Sequence, residues 1–405
     1  PKIISTINHR NQIVVIDINK DKVTLVDRSE FHPISGMDFS KHGRYLAYTC
    51  SYNRKSSIIK IFDFKINEVN RITSPVLHDA FPSFDPSGKY LYCISARTFN
   101  PVYDGLHFDL NFPKGTKPYL ITLDSALDSP FIKHPQPYSP VKNNDKDKNN
   151  DKVDREINFD GIDDRMIELP LPEGKYQDVQ GGNKGRIYYT TSQIKGSRDP
   201  GWNNSNSIPG DKTLYYYDLE TLEQKKFMSD ISDFMLSYDK KTVLVRVGNK
   251  LSVYGTESPP TQDTLSKSSY SKASGKIDLS RISVEIEQVS EWKQMYSEAW
   301  RLQRDYFWVK NMSKVDWSSV YDRYFPIIDR LGSRSEFSDL IWEMQGELGT
   351  SHAYEFGGDY KPSESYSIGF LGCDYSYNEK KKKFEINKLL KGDIWDGTNG
   401  SPLMQ

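Results

Sequence analysis

Cysteine is scarce: Cys50, Cys93 and Cys373 are the only three in 405 residues, far apart and without a C-x-x-C pair. That spacing argues against a disulfide framework or a cysteine-based zinc site, and fits reduced thiols in a cytoplasmic protein. An excess of either charge is missing too, with 54 Lys+Arg against 55 Asp+Glu. No basic block has the length or clustering of a nucleic-acid footprint, so nucleic acid is not expected as a partner. Nor does any apolar run approach the roughly 18 residues that cross a bilayer, and nothing at the start reads as a signal peptide, so no membrane partner is expected. The patterns G-x-S-x-G, H-E-x-x-H and the P-loop are absent, so the chain carries no complete active site of those kinds, and neither metal nor cofactor is expected. It opens on Pro1 rather than Met and stops at "GSPLMQ", which reads as a piece cut from something longer.

Aromatic residues are plentiful. Twenty-six Tyr and nineteen Phe in a chain only 36% hydrophobic suggest many short strands that bury rings on one face and keep the other wet. Two stretches, "MDFSKHGRYLAYTCS" (37–51) and "PSFDPSGKYLYCISA" (82–96), align residue for residue, with Gly43 and Gly88 at the same place in each. Each has a polar turn closed by Gly and then an alternating strand; a period of about 40–45 residues with several strands per unit is that of propeller blades. Weaker copies follow at 181–192 and 234–255, and further strands are read in "QIVVIDI" (12–18), "SIIKIFDF" (57–64) and "LYYYDLE" (214–220). The expectation is an incomplete β-propeller of four blades plus strands of another. The polar, charged "KNNDKDKNNDK" (142–152) is expected to be a mobile insertion. "KIDLSRISVEIE" (276–287) resumes strand alternation, and the domain boundary is placed after Glu287.

From Ser290 the period changes to that of helices. Trp292, Met295, Tyr296, Ala299, Leu302 and Tyr306 share one face, with Ser290 placed to cap. Trp317, Val320, Tyr321, Tyr324, Ile328 and Leu331 make a second helix, opened by Asp316 and closed by Gly332. Ser333 and Glu336 have capping-box spacing for a third, which ends at Gly349. Strands return in "YSIGFLGCDYS" (366–376) and "KFEINKLL" (383–390), and Pro402 is suited to a first helical position.

"ELGTSHAYEFGGDY" (347–360) does not read as scaffold. Six of the seven histidines lie far upstream, and His352 follows Ser351 just past the third helix. From the residues alone, a hydrogen-bonded turn is the simpler reading, because nucleophilic catalysis also needs an activated nucleophile, an orienting group and an oxyanion hole. The acidic "FDGIDDRMIE" (159–168) lacks EF-hand spacing and reads as a solvated propeller edge.

The run from Glu291 to Tyr360, with E-A-W-R-L, V-D-W and G-E-L-G-T-S-H-A-Y, closely resembles the helical domain of the tricorn protease family, cytoplasmic self-compartmentalising serine peptidases. "INFDGIDDRMIELPLPEG" (157–174) resembles part of that family's seven-bladed propeller, and "GSPLMQ" the interior of its PDZ-like domain. The fold so implied is multi-domain and mainly β: an incomplete β-propeller (1–287), a small α-helical bundle (288–358) and the first part of a PDZ-like β domain (359–405). The resemblance makes His352 a general base oriented by Ser351. It puts the nucleophilic serine, an orienting glutamate and the oxyanion hole in a domain outside this chain, so the fragment alone should be inactive. It further implies oligopeptide substrates downstream of the proteasome, filtered as extended chains by the propeller, a homo-oligomer, namely a hexamer, and aminopeptidase partners. Two competitors stand beside it: a non-catalytic propeller–PDZ scaffold, and a propeller peptidase of the prolyl oligopeptidase kind, against which the helical bundle speaks.

Overall fold

The repeated turn fixes the first unit. Gly43 and Gly88 adopt φ 80° and 71°, where a Cβ is disfavoured, and each reverses the chain into a strand whose Tyr carbonyl, of Tyr45 or Tyr90, accepts from the amide of Ser40 or Asp85. The same turn recurs with the Ser237 amide donating to Thr242, and there the left-handed residue is Lys240. The computed structural model describes residues 2–132, 154–194, 210–360, 366, 368–392, 395 and 400–404. The insertion expected at 142–152 lies outside these residues. The chain divides into two compact units, Pro1–Glu285 and Ile286–Gln405.

In the first unit five antiparallel, propeller-like sheets follow one another. They are β1 (Ile3–Ile7), β2 (Gln12–Asp17) and β3 (Lys22–Arg28); then β4 (Ser35–Phe39), β5 (Tyr45–Asn53), β6 (Ser56–Asp63) and β7 (Glu68–Arg71). The third sheet has β8 (Asp79–Phe84), β9 (Tyr90–Ser95), β12 (Lys117–Thr122) and β13 (Met166–Glu168), with a ribbon of β10 (Val102–Asp104) and β11 (Asp109–Asn111) between β9 and β12. The fourth has β14 (Lys175–Gly181), β15 (Arg186–Ser192), β16 (Lys212–Asp218) and β17 (Glu223–Ile231), and the fifth β18 (Asp233–Leu236), β19 (Thr242–Val247) and β20 (Lys250–Gly255).

One wet face per strand was the expectation, and the middle strands overturn it. Tyr45–Cys50 of β5 and all of β12 are buried on both faces, because the second and third sheets are each packed between two others. Strand alternation sends Tyr45, Ala47, Ile59 and Ile61 into one core with Leu91, Cys93 and Ile121. Leu46, Tyr48 and Phe62 go into another, with Ile13 and Val15. Two buried phenols keep partners: Tyr48 donates to Asp27 at 2.8 Å and Tyr188 to the Thr256 carbonyl at 2.7 Å. The three cysteines are buried and form no disulfide.

The edge strands β4, β8, β14 and β18 are joined by a recurring bond. Asp38 Oδ2 accepts from the Phe84 amide at 2.7 Å, Ser83 Oγ from Gly181 at 3.1 Å, and Gln180 Oε1 from Leu236 at 2.9 Å. Acceptors and donors are equivalent in the aligned turns, so the second, third and fourth sheets each grip the next at one position. Three of these strands carry a register shift at or just before the grip, between Ser35 and Asp38, Ala80 and Ser83, and Tyr176 and Asp178. The strand expected in 276–287 does not form. It gives a 3-10 turn, Leu279–Arg281, and then Ile282, Val284 and Ile286 stand exposed, since alternation without a partner strand closes no ladder.

After a short α1 (Gln262–Ser266), the second unit has α2 (Gln288–Tyr306), α3 (Trp317–Tyr324) and α4 (Arg334–Gly346). The cap of α2 is Glu287 rather than Ser290: its carboxylate accepts from the Ser290 amide at 3.1 Å. Asp316 caps α3 as expected, but the α-helix stops at Tyr324 and continues as a 3-10 segment, Phe325–Arg330, because Pro326 has no amide hydrogen to donate. Trp300 and Trp317 clasp α2 to α3, each indole donating to the other's carbonyl, at 2.7 and 3.0 Å, with rings 4° from parallel. Phe337, Leu340, Ile341 and Met344 of α4 complete this core, Phe337 stacked on Trp292. Further on, β21 (Cys373–Asn378) and β22 (Lys383–Leu389) pair as a hairpin, while described residues 366 and 368–370 are not strand; Pro402 opens a 3-10 turn. The molecule is thus mainly β, with propeller-like sheets, a small helical region and a C-terminal hairpin.

Candidate active site

The site is made by the way α4 ends. Its N-terminus is fixed by Ser333, whose hydroxyl accepts from the Glu336 amide at 3.2 Å, while Glu336 reaches past the expected box to the Gly332 amide at 2.7 Å. At the other end Leu348 is buried in the helical core, and Glu347 accepts from the Tyr324 hydroxyl at 2.8 Å and from Arg323. Burial, and then the bond to Glu347, raise the pKa of the Tyr324 phenol. Gly349 follows at φ 58°, a left-handed turn that takes the chain off the helix axis. Thr350, Ser351 and His352 are exposed on that corner.

His352 has φ 67°, uncommon for a residue with a Cβ. Such a conformation persists where the chain is held on both sides. On the far side the hold is a strap, residues 353–360, laid back over α4. Ala353 packs on the helical core, and Tyr354 meets Trp342 edge-on at 6.2 Å. Glu355 accepts from Arg334 at 2.7 Å and from the Ser338 hydroxyl. Arg334 Nε also lies 3.2 Å from Asp359 Oδ1, and its guanidinium sits over the Phe337 and Tyr360 rings. Burial acts to lower the Arg334 pKa, but the Glu355 hydrogen bond and charge outweigh it, so the guanidinium is held in its charged form.

Ser351 and His352 are adjacent, but no hydrogen bond joins them among the described residues. The His352 Nδ1 contact is with the Tyr354 hydroxyl, at 3.1 Å, the two rings standing edge to face. With Nδ1 engaged, Nε2 is the nitrogen that a histidine base would use. Tyr354, Arg334 and Glu355 were not singled out in the sequence. Tyr354 had a signal in its place two residues after His352; the Arg334–Glu355 pair, distant in sequence, had none. Among the described residues no group of three or more His, Cys, Asp or Glu is placed to hold a metal ion, and no helix is long and apolar enough to cross a membrane.

Comparison with known proteins assigns all three regions. A family model described as the tricorn protease second beta propeller domain matches residues 1–257, one described as the tricorn protease C1 domain 288–346, and one described as the tricorn protease PDZ domain 369–405. The chain is 33% identical over 396 residues to a tricorn protease homolog of Saccharolobus solfataricus, covering 98% of this chain and 35% of that one. It is 30% identical over 404 residues to tricorn protease homolog 1 of Streptomyces coelicolor, covering 99% and 37%. A crystal structure of the tricorn protease shares its fold, with a TM-score of 0.80 over 100% of this chain and 37% of that one at 23% identity. The chain therefore spans about a third of the length of these relatives.

Proposed function

The chain belongs to the tricorn protease family, and on that footing we propose that it serves a serine endopeptidase that cuts oligopeptides, with His352 as general base. The observation that carries this reading is the left-handed, exposed His352, pinned between the end of α4 and its strap with Nδ1 engaged. In the reaction Nε2 takes the proton of a serine hydroxyl as that oxygen attacks the peptide carbonyl. It then gives the proton to the leaving amine, and repeats the cycle with water to release the acyl group. The nucleophilic serine, an orienting glutamate and the oxyanion hole come from outside this chain, so these residues alone are inactive. Ser351 takes over the Nδ1 contact once its glutamate is in place; until then Tyr354 occupies it.

The same reading makes the enzyme a cytoplasmic homo-oligomer, a hexamer, taking peptides of the size a proteasome releases and passing products to aminopeptidases. The propeller-like sheets admit extended chains and exclude folded ones. A non-catalytic propeller–PDZ scaffold is the second reading, favoured by one observation: the bond to His352 comes from Tyr354 and not from Ser351.

The deciding experiment is hydrolysis of a fluorogenic peptide by the complete protein, native against His352→Ala. Loss of about a thousandfold or more with the assembly intact supports the base. Equal activity of the two makes Ser351 and His352 a structural turn, and no activity in either favours the scaffold reading.

A further inference from the structure

We propose that Arg334 and Glu355 are positioning residues for His352, acting through the strap rather than on substrate; this rests on the reading of His352 as base. Three observations point to it. The pair is nearly buried, at 9% and 16% side-chain exposure, in a part of the chain whose other ion pairs are mostly exposed. It is tied at both ends: Arg334 is the first residue of α4 and packs on Phe337, while Glu355 also receives the Ser338 hydroxyl from the next turn of that helix. And it lies three residues beyond a histidine in a backbone conformation that relaxes unless both flanks are fixed. Gly349 and the buried Leu348 fix one flank; on the other, Ala353 and the Tyr354–Trp342 contact are apolar and allow sliding, so the directional anchor is the Arg334–Glu355 bond.

A misplaced base loses rate without losing substrate, because positioning enters the transition state and not ground-state binding. In the complete protein, Glu355→Gln, which keeps the shape and a hydrogen-bonding oxygen, and Arg334→Lys, which keeps the charge but not the fork, are compared by peptide hydrolysis. The expected result is a kcat lower by about ten- to a hundredfold with KM within about twofold. Two controls separate this from general weakening of the bundle. Trp317→Phe loosens the same core away from the strap, and Lys293→Met removes an exposed ion pair with Asp329 in the same unit; both should keep native kcat. If Glu355→Gln does not assemble, Ser338→Ala, which removes one hydroxyl bond to the same carboxylate, should lower kcat by about threefold. Native kcat in Glu355→Gln, or an equal fall in Trp317→Phe, overturns the proposal while His352→Ala remains inactive. If His352→Ala is itself fully active, the base reading falls first and takes the positioning role with it.

Discussion

Gly36 and Phe81 occupy the same position in neighbouring edge strands and share one backbone conformation, φ 59° and φ 56°. Both lie inside the register shift that precedes the bond to the next sheet. A glycine reaches that conformation freely, whereas a phenylalanine is strained there, and Phe81 is also 44% exposed.

Phe81→Gly is therefore expected to raise the stability of the first unit, by about 1 kcal/mol, strain relief exceeding the small loss of burial and the added chain entropy. Chemical denaturation of the native and variant chains measures this, and an unchanged or lower midpoint refutes it.

Asp178, at the equivalent place in β14, makes stability depend on pH. Burial, and next the Asp233 charge, push its carboxyl up to about 6. A carboxyl whose folded pKa lies above its unfolded value holds a proton that the unfolded chain has released. Its contribution to stability is thus best at acid pH and is lost as pH rises from about 4 to about 6. Asp178→Asn should stabilise by about 1–2 kcal/mol at pH 7.5 and by little at pH 4. An equal gain at both pH values would show that charge is not the cause.

Gly181 is held for space rather than for φ. A Cβ there would lie 2.6 Å from the Phe84 carbonyl oxygen of the neighbouring sheet, at the bond made with Ser83. Gly181→Ala should cost more than about 2 kcal/mol, through displaced backbone. Gly43→Ala meets nothing within 4 Å and should cost about 1 kcal/mol, from its φ of 80° alone. Reversal of that order in a thermal melt would contradict the structure.

Trp317→Phe leaves the Trp300 carbonyl without its indole donor, and the clasp between α2 and α3 loses one of its two bonds. The second unit should lose about 1–2 kcal/mol, read as a lower midpoint in tryptophan-independent circular dichroism. Unchanged stability would mean that the clasp is geometric only.

Much of this fold could be read before the structure, because its turns are spelled in residue types. The Gly43 and Gly88 hairpins announce themselves, as do the Asp316 and Ser333 caps. The sequence misled where a pattern lacked its partner. Ile282, Val284 and Ile286 alternate like a strand and have no neighbour to pair with, and Ser290 has a capping residue's chemistry one turn too late, after Glu287 has taken the role. Pro326 broke a helix whose apolar spacing continued through it. At the site, His352 stood out by its surroundings in the chain. The strap did not, since Arg334 and Glu355 meet only after α4 has folded between them.

The joints between sheets use a carboxylate, a hydroxyl and an amide, Asp38, Ser83 and Gln180, to seize the same backbone amide of the next sheet. These differ in reach and in charge, so the repeats, alike in backbone, have ceased to be interchangeable. Excising the third sheet would set the longer Asp38 carboxyl against Gly181, a seat shaped around the Ser83 hydroxyl. Each unit thereby recognises its successor, and gain or loss of a whole repeat must carry a matching change at the seam.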